Sequence, residues 1–132
     1  MRVGMVYALQ EIHRILKPHG TMIDLRPAIA NRPVLVELSY ATLHAGDIDS
    51  GEADEDRRAA DEAIQKGVAM GLFQLEHRTT FDIVTDLDTV DDLYELRASL
   101  DGSVLADDVM LHVEELVADE DDDFSIRVPR TM

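Results

Sequence analysis

The chain has 132 residues, of which 45% are hydrophobic, and this size and composition predict one globular domain over residues 1–132. A net charge of −16 argues against partners that need a basic surface, namely nucleic acids and anionic membranes. The lack of cysteine rules out disulfides and thiolate chemistry, and no apolar run approaches the ~20 residues of a membrane span.

The first predicted element is an amphipathic helix over residues 5–17, which Pro18 and Gly20 end. Its apolar side chains recur at helical spacing: Met5, Leu9, Ile12 and Leu16. The start of the chain lacks the apolar core of a secretion signal, because Glu11 and Arg14 interrupt it. We therefore expect a cytoplasmic protein.

The next predicted element is a short buried strand, Thr21–Leu25, followed by a loop that Pro27 and Pro33 bracket. Residues 34–49 alternate between apolar and polar side chains, as extended chain does, although the position of their turn stays open. An acidic, exposed stretch leads from there to a second helix over residues 55–71.

The following region is predicted to contain one long strand and two helices. Alternating side chains over residues 73–87 indicate a long antiparallel strand with one solvent-facing side. Asp88 or Thr89 caps a third helix that Gly102 ends, and a fourth helix covers residues 104–118.

A final strand over residues 124–128 completes the pattern. The predicted fold class is mixed α/β, close to α+β, with a mostly antiparallel sheet of about five strands and four helices. The sequence shows neither an internal repeat nor a linker that would divide it, so a single domain is expected.

The segment "ALQEIHRILKPHGTMIDLRP", residues 8–27, resembles part of the class I S-adenosylmethionine-dependent methyltransferases. In that family a helix is followed by an "LKPGG" turn and by the fifth strand of the sheet; here His19 replaces a glycine of the turn. The predicted elements that follow are also similar in order to the C-terminal part of that Rossmann-like fold. The resemblance thus spans nearly the whole chain, and its specific part is residues 8–27.

The resemblance implies S-adenosylmethionine chemistry only if a donor-binding half is supplied. Members of the family bind this cofactor at a Gly-rich loop after the first strand, because close approach of the backbone needs glycine. No G-x-G loop occurs in the 132 residues. We therefore expect a methyltransferase-related domain that binds no cofactor and does not catalyse alone, either a substrate-side or assembly module or a truncated remnant.

Three loop residues are the candidate substrate-binding residues: Arg26, Asn31 and Arg32. Ligands of open α/β sheets bind beyond the carboxyl ends of the strands, and these residues would follow such an end. An arginine there can hold a carboxylate or phosphate group of a substrate. The alternative is that Arg26 and Arg32 only balance the charge of a very acidic protein.

No catalytic residue, cofactor-binding residue or metal ligand is predicted. His44, Asp47 and Asp49 carry groups that metals bind, but polar residues of this kind in hairpins and loops usually belong to the surface. No serine lies in a G-x-S-x-G setting, so hydrolase chemistry has no support.

The resemblance also predicts self-association. In a complete methyltransferase the strand that corresponds to Thr21–Leu25 has a neighbour on each side, so a chain without the first four strands would expose a sheet edge. We expect a homodimer through residues 5–25. A hetero-partner that carries the donor-binding half is the alternative.

Two other interpretations stay open. The long predicted strand over residues 73–87 also suits an unrelated small α+β protein that binds an apolar ligand between its sheet and its helices. A deep apolar pocket in that position would favour this interpretation. Otherwise the chain is a fragment of a complete S-adenosylmethionine-dependent methyltransferase, which the upstream reading frame would decide.

Overall fold

The computed structural model of the chain describes residues 2–121 and 123–132. Within them the elements follow in this order: α1 (Arg2–Ile15), β1 (Arg32–Leu38), β2 (Thr42–Ile48), α2 (Ala53–Ala69), β3 (Asp82–Leu87), α3 (Val90–Ser99), α4 (Asp107–Val117) and β4 (Phe124–Thr131). The fold is mixed α+β, as predicted, with an antiparallel sheet of four strands rather than five. None of the described helices is long and apolar enough to cross a membrane.

The sheet has the strand order β2-β1-β4-β3, and each neighbouring pair is antiparallel. A tight hairpin joins β1 to β2, in which the N–H of Leu38 donates to the carbonyl oxygen of Ala41 at 2.7 Å. A bulge interrupts the β1–β2 register after Val34. Near it Gly46 packs directly under α4, where a Cβ atom would lie 2.6 Å from a methyl carbon of Val109. Only glycine leaves room for this helix.

The hydrophobic core lies between one face of the sheet and helices α3 and α4. Its largest fully buried side chains come from strands, helices and one loop: Val34, Val36, Ile48, Leu93, Leu105, Met110, Val113, Ile126 and Val128. The side chains that the sheet contributes to this core come from every second residue of β1 and β4, because successive side chains of a strand point to opposite faces. On the opposite face, Arg127 contacts Asp86 at 3.0 Å and Glu37 at 3.4 Å.

Helices α1 and α2 pack against each other. Small buried residues of α2 allow their close approach: Ala59, Ala63 and Gly67. Leu9 of α1 is buried beside Gly67, and the ring of Phe73 lies edge-on to that of His13 at a centroid distance of 6.1 Å. The loop after α1 lies along α2, because Arg26 contacts Asp61 at 2.8 Å.

Helix α3 begins with a capping box. The side chain of Thr89 accepts a hydrogen bond from the N–H of Asp92 at 3.1 Å, and the Asp92 carboxylate accepts one from the N–H of Thr89 at 3.2 Å. Thr89 rather than Asp88 is therefore the cap. Gly102 follows the helix with a φ of 74°, a left-handed conformation that glycine adopts without steric cost.

The predicted strand Thr21–Leu25 is wrong, because these residues belong to no strand of the described sheet. The segment first reaches the sheet at Ala28, whose N–H donates to the carbonyl oxygen of Thr131 at 2.8 Å. Strand β4 already has β1 and β3 on its two sides, so it offers no free edge to a fifth strand. Ile23 and Leu25 are instead 88% and 62% exposed. The sheet edge on which the dimer prediction rested does not form.

The predicted long strand over residues 73–87 is also shorter than expected. Only Asp82–Leu87 forms a strand, and the residues before it have no regular secondary structure. A strand extends as far as its partner, and Thr131, the last residue of β4, pairs with Asp82. Beyond this pair one more hydrogen bond follows, from the N–H of Met132 to the carbonyl oxygen of Phe81 at 2.8 Å.

Candidate functional site

A cleft of about 110 Å³ lies at the end of the sheet where β1 begins and β4 ends. Three arginines from three elements line it: Arg32 of β1, Arg57 of α2 and Arg130 of β4. Asp82, the first residue of β3, supplies a carboxylate to the same lining. We call this site the three-arginine cleft.

Arg32 and Arg130 come from neighbouring strands. The β1–β4 pairing ends at Leu35 and Arg127, and Arg32 and Arg130 lie beyond this end, in the lining of the same cleft. Like charges held close together repel each other. Burial first, and then the charges of Arg130 and Arg57, lower the pKa of Arg32 below its ordinary value. The cleft therefore holds its positive charge at a cost in free energy, which a bound anion would offset.

The arginines of the cleft have poor hydrogen-bond partners. Arg32 reaches two backbone carbonyl oxygens of β4, both at 3.5 Å. Arg57 reaches the carbonyl oxygen of Ala28 at 3.5 Å and the carboxylate of Asp54 at 3.4 Å. The Nε of Arg130 is buried and has no hydrogen-bond partner among the described residues. Good N–H···O bonds are roughly 2.7–3.2 Å long, so these donors are available to a ligand.

Asn31 lies beside these arginines in the lining of the cleft. Its Oδ1 is 3.2 Å from both the backbone nitrogen and the hydroxyl of Ser50. That hydroxyl is closer to the carboxylate of Asp54, at 2.7 Å, so its single proton goes there and the backbone N–H serves Asn31. With its oxygen turned to Ser50, Asn31 keeps its amide NH₂ group as a donor.

Arg26, the remaining candidate binding residue, is not part of the cleft lining. Its guanidinium contacts the carboxylates of Asp24 and Asp61, both at 2.8 Å, and donates to the carbonyl oxygen of Arg57 at 3.3 Å. Burial lowers the pKa of Arg26, but its hydrogen bonds to the two carboxylates raise the pKa above its ordinary value. Arg26 is thus already paired, and it holds the loop against α2.

Two residues of the cleft, Arg57 and Arg130, were not predicted from the sequence. Arg57 lies next to Arg58 in an acidic helix, and Arg130 lies in the last strand. Nothing in their local sequence distinguishes them from surface arginines. Only the β1–β4 pairing, known in advance, would have placed Arg130 and Arg32 at the same end of the sheet.

The histidine and carboxylates considered as metal ligands do not converge. His44 contacts Asp47 at 2.8 Å, with side chains 56% and 46% exposed, whereas Asp49 accepts a hydrogen bond from the N–H of Gly51 in a turn. Over residues 2–121 and 123–132, no group of three or more metal-binding side chains is placed to hold an ion.

No protein-family model, curated protein or solved structure matches the chain. The feature with a clear chemical capability is the three-arginine cleft, whose guanidinium groups can bind an anion.

Proposed function

We propose that the chain is a methyltransferase-related domain without independent catalysis, which holds an anionic group of a substrate in the three-arginine cleft. The observation that carries the proposal is the convergence of Arg32, Arg57 and Arg130, with the Nε of Arg130 buried and unpartnered within the described chain. An unsatisfied buried donor costs about 1–3 kcal/mol, and more if it is charged. A bound carboxylate, sulfate or phosphate would supply the missing acceptors.

The charge of the whole protein supports this proposal. The chain has 12 basic residues against 28 acidic ones, yet three of its arginines line one cleft. Acidic partners are abundant, and Arg26 has two of them. The long-range field of an acidic protein repels anions, so an anion site on it needs concentrated local positive charge. A ligand explains the grouping of these arginines better than a structural role does.

The methyltransferase part of the proposal rests on the amino-acid letters of residues 8–27, of which Thr21–Leu25 forms no strand, and on the lack of a G-x-G loop in the chain. If this part of the proposal is correct, the chain works in the cytoplasm and binds S-adenosylmethionine only together with a donor-binding half. Isothermal titration calorimetry of the chain with S-adenosylmethionine checks this part. We expect no heat of binding, and tight binding would contradict the proposal.

Thermal unfolding in sodium sulfate tests the anion site. A ligand that binds only the folded state raises the melting temperature as its concentration rises. Sulfate also stabilises proteins in general by its exclusion from their surface, so the decisive comparison is between variants. We expect Arg130→Gln to lose most of the sulfate-dependent rise. Arg58→Gln should keep it, because Arg58 is exposed and outside the cleft. Equal responses of both variants would contradict an anion site.

We also propose that two copies of the chain associate through residues 5–25, with a partner that carries a donor-binding half as the alternative. Exposed apolar side chains now support this in place of the sheet edge: Tyr7, Ile15, Ile23 and Leu25. Light scattering tests it with the wild type and with Ile23→Asp. A monomeric wild type at micromolar concentration would contradict the homodimer.

The alternative function, binding of an apolar ligand between sheet and helices, has less support. It predicts a deep apolar pocket in that position. The side chains of Val36, Val113 and Ile126 fill the centre of this interface and are each 0% exposed. The geometry therefore favours an anionic ligand at the end of the sheet.

A further inference from the structure

We propose that the three-arginine cleft selects a phosphomonoester, a compact doubly charged group with three terminal oxygens, over singly charged anions. This inference rests on the proposed function, because it assumes that the cleft binds an anion. Three features support it: the balance of charge in the lining, the number of elements that present donors, and the composition of the walls.

The charge of the lining matches a dianion. The lining contains Arg32, Arg57, Arg130 and Asp82. Arg57 contacts Asp54 at 3.4 Å, whereas Arg32 and Arg130 form no ion pair within the described residues, so two guanidinium charges lack a carboxylate partner. Asp82 also accepts a hydrogen bond from the hydroxyl of Thr131 at 2.7 Å, which occupies one of its oxygens. A singly charged ligand would leave one of the positive charges uncompensated in a partly buried site.

The donors come from three directions. Arg32 begins β1, Arg57 lies on α2 and Arg130 lies near the end of β4. A carboxylate has two oxygens in one plane, which one or two guanidinium forks satisfy. A phosphomonoester has three strongly accepting oxygens around a tetrahedral centre, so each guanidinium can bind its own oxygen. The contacts of Arg32 with carbonyl oxygens, both at 3.5 Å, are weak enough to be exchanged for such an oxygen.

The walls of the cleft leave recognition to side chains. Pro27, Pro33 and Pro129 contribute to the lining, and proline has no backbone N–H to offer to an anion. The N–H of Ala28 is already bonded to Thr131. The proline walls therefore leave much of the recognition to the guanidinium forks and to the amide of Asn31.

The surroundings exclude a polyanion. The first turn of α2 places Asp54, Glu55 and Asp56 within three positions of Arg57, and the chain as a whole carries −16. A nucleic-acid backbone entering the cleft would meet this acidic turn, whereas a single terminal phosphate would not extend so far. The ligand is therefore a small molecule with a phosphomonoester end, and the rest of it projects out of a cleft of about 110 Å³.

Isothermal titration calorimetry at constant ionic strength, with methyl phosphate and dimethyl phosphate as probes, tests the inference. Methyl phosphate is a dianion above its second pKa of about 6, whereas dimethyl phosphate carries one charge and two terminal oxygens. We expect methyl phosphate to bind at least about tenfold more tightly at neutral pH, because it gains one charge-assisted hydrogen bond. Below pH about 6 its affinity should fall until it reaches that of its singly charged form, close to that of dimethyl phosphate, while the affinity of dimethyl phosphate should not fall.

The pH profile has an internal check. Asp82 lines the cleft and Asp54 contacts Arg57 at 3.4 Å, and loss of negative charge from either carboxylate would strengthen the binding of any anion. A fall in affinity on acidification therefore belongs to the ligand. Arg57→Lys keeps the charge but loses the planar fork, so it should lower the affinity for methyl phosphate at least about tenfold. Arg58→Lys is the matched control and should leave the affinity unchanged.

The outcomes separate this inference from the proposed function. Equal affinities for the two phosphate esters, or tighter binding of succinate than of methyl phosphate, would overturn the phosphomonoester inference and leave an anion-binding cleft. If neither ester nor succinate binds the wild type, the proposed anion site fails as well. If Arg57→Lys and Arg58→Lys weaken binding equally, methyl phosphate binds outside the cleft, and both proposals fail.

Discussion

The guanidinium of Arg26 lies 2.8 Å from the carboxylate of Asp61, and this pair fastens the loop after α1 to helix α2. Arg130, by contrast, has a buried Nε with no hydrogen-bond partner in the part of the chain that the structure describes. We propose that the first arginine has a structural role and that the second binds a ligand. Functional sites often retain groups that lower stability. Replacing Arg26 and replacing Arg130 should therefore change the free energy of unfolding in opposite directions.

We expect Arg130→Met to raise the free energy of unfolding of the anion-free protein by about 1 kcal/mol, since it removes an unsatisfied donor and keeps an apolar stem. Arg26→Met should lower it by about 0.5–1 kcal/mol, because it breaks two partly exposed ion pairs. Urea unfolding in a buffer without phosphate or sulfate measures both changes. A similar loss of stability in both variants would mean that Arg130 is structural.

Replacing Gly46 by alanine should destabilise the protein by about 1–3 kcal/mol, as overpacking of a close contact does. The reason is the approach of α4, whose Val109 would lie 2.6 Å from the added Cβ atom. Gly4→Ala in α1 is the control, because its Cβ would meet nothing within 4 Å, and it should stabilise the helix by up to about 1 kcal/mol. Thermal unfolding would show opposite shifts, and a tolerated Gly46→Ala would mean that α4 can move away from β2.

Thr89→Ala removes the capping box and should lower the free energy of unfolding by about 1 kcal/mol, because the N–H of Asp92 loses its acceptor. Thr89→Ser should retain most of the stability, since its hydroxyl can accept the same bond. Thr79→Ala, in an exposed stretch without regular structure, should change the free energy of unfolding by less than about 0.5 kcal/mol. Urea unfolding measures these changes. Equal losses of stability in Thr79→Ala and Thr89→Ala would argue against a stabilising capping box.

The contact between α3 and α4 should make stability depend on alkaline pH. The hydroxyl of Tyr94 donates to the carboxylate of Glu114, and this hydrogen bond raises the pKa of Tyr94 above its ordinary value of about 10. The folded state holds the proton more tightly, so the bond contributes below pH about 10 and its contribution is lost as the pH rises through the raised pKa. The hydroxyl of Tyr40 donates to Glu120 at 3.4 Å and the pKa of Tyr40 is raised as well, so the titration is made in a Tyr40→Phe background. There, ultraviolet titration should show a late component that Tyr94→Phe removes and Glu114→Gln shifts to lower pH. An unchanged titration of Glu114→Gln would refute the link.

The helices could be predicted from the sequence because their signals are local. The apolar spacing of α1 and the hydroxyl of Thr89 three residues before Asp92 act within one or two turns of the chain. The strands were harder to predict. Side chains alternate in type over residues 73–87, but pairing with β4 begins only at Asp82. The alternation alone therefore predicted a strand that is too long.

The sequence by itself determined the class of fold, the four helices and the acidity of the protein, because periodicity, capping and composition are properties of neighbouring residues and of counts. Only the tertiary structure decided that Thr21–Leu25 stays outside the sheet and that Arg32, Arg57 and Arg130 line one cleft. Both depend on which strands lie beside β4 and in which register. Hydrogen-bond pairing between distant segments sets that choice, and no short stretch of sequence contains it.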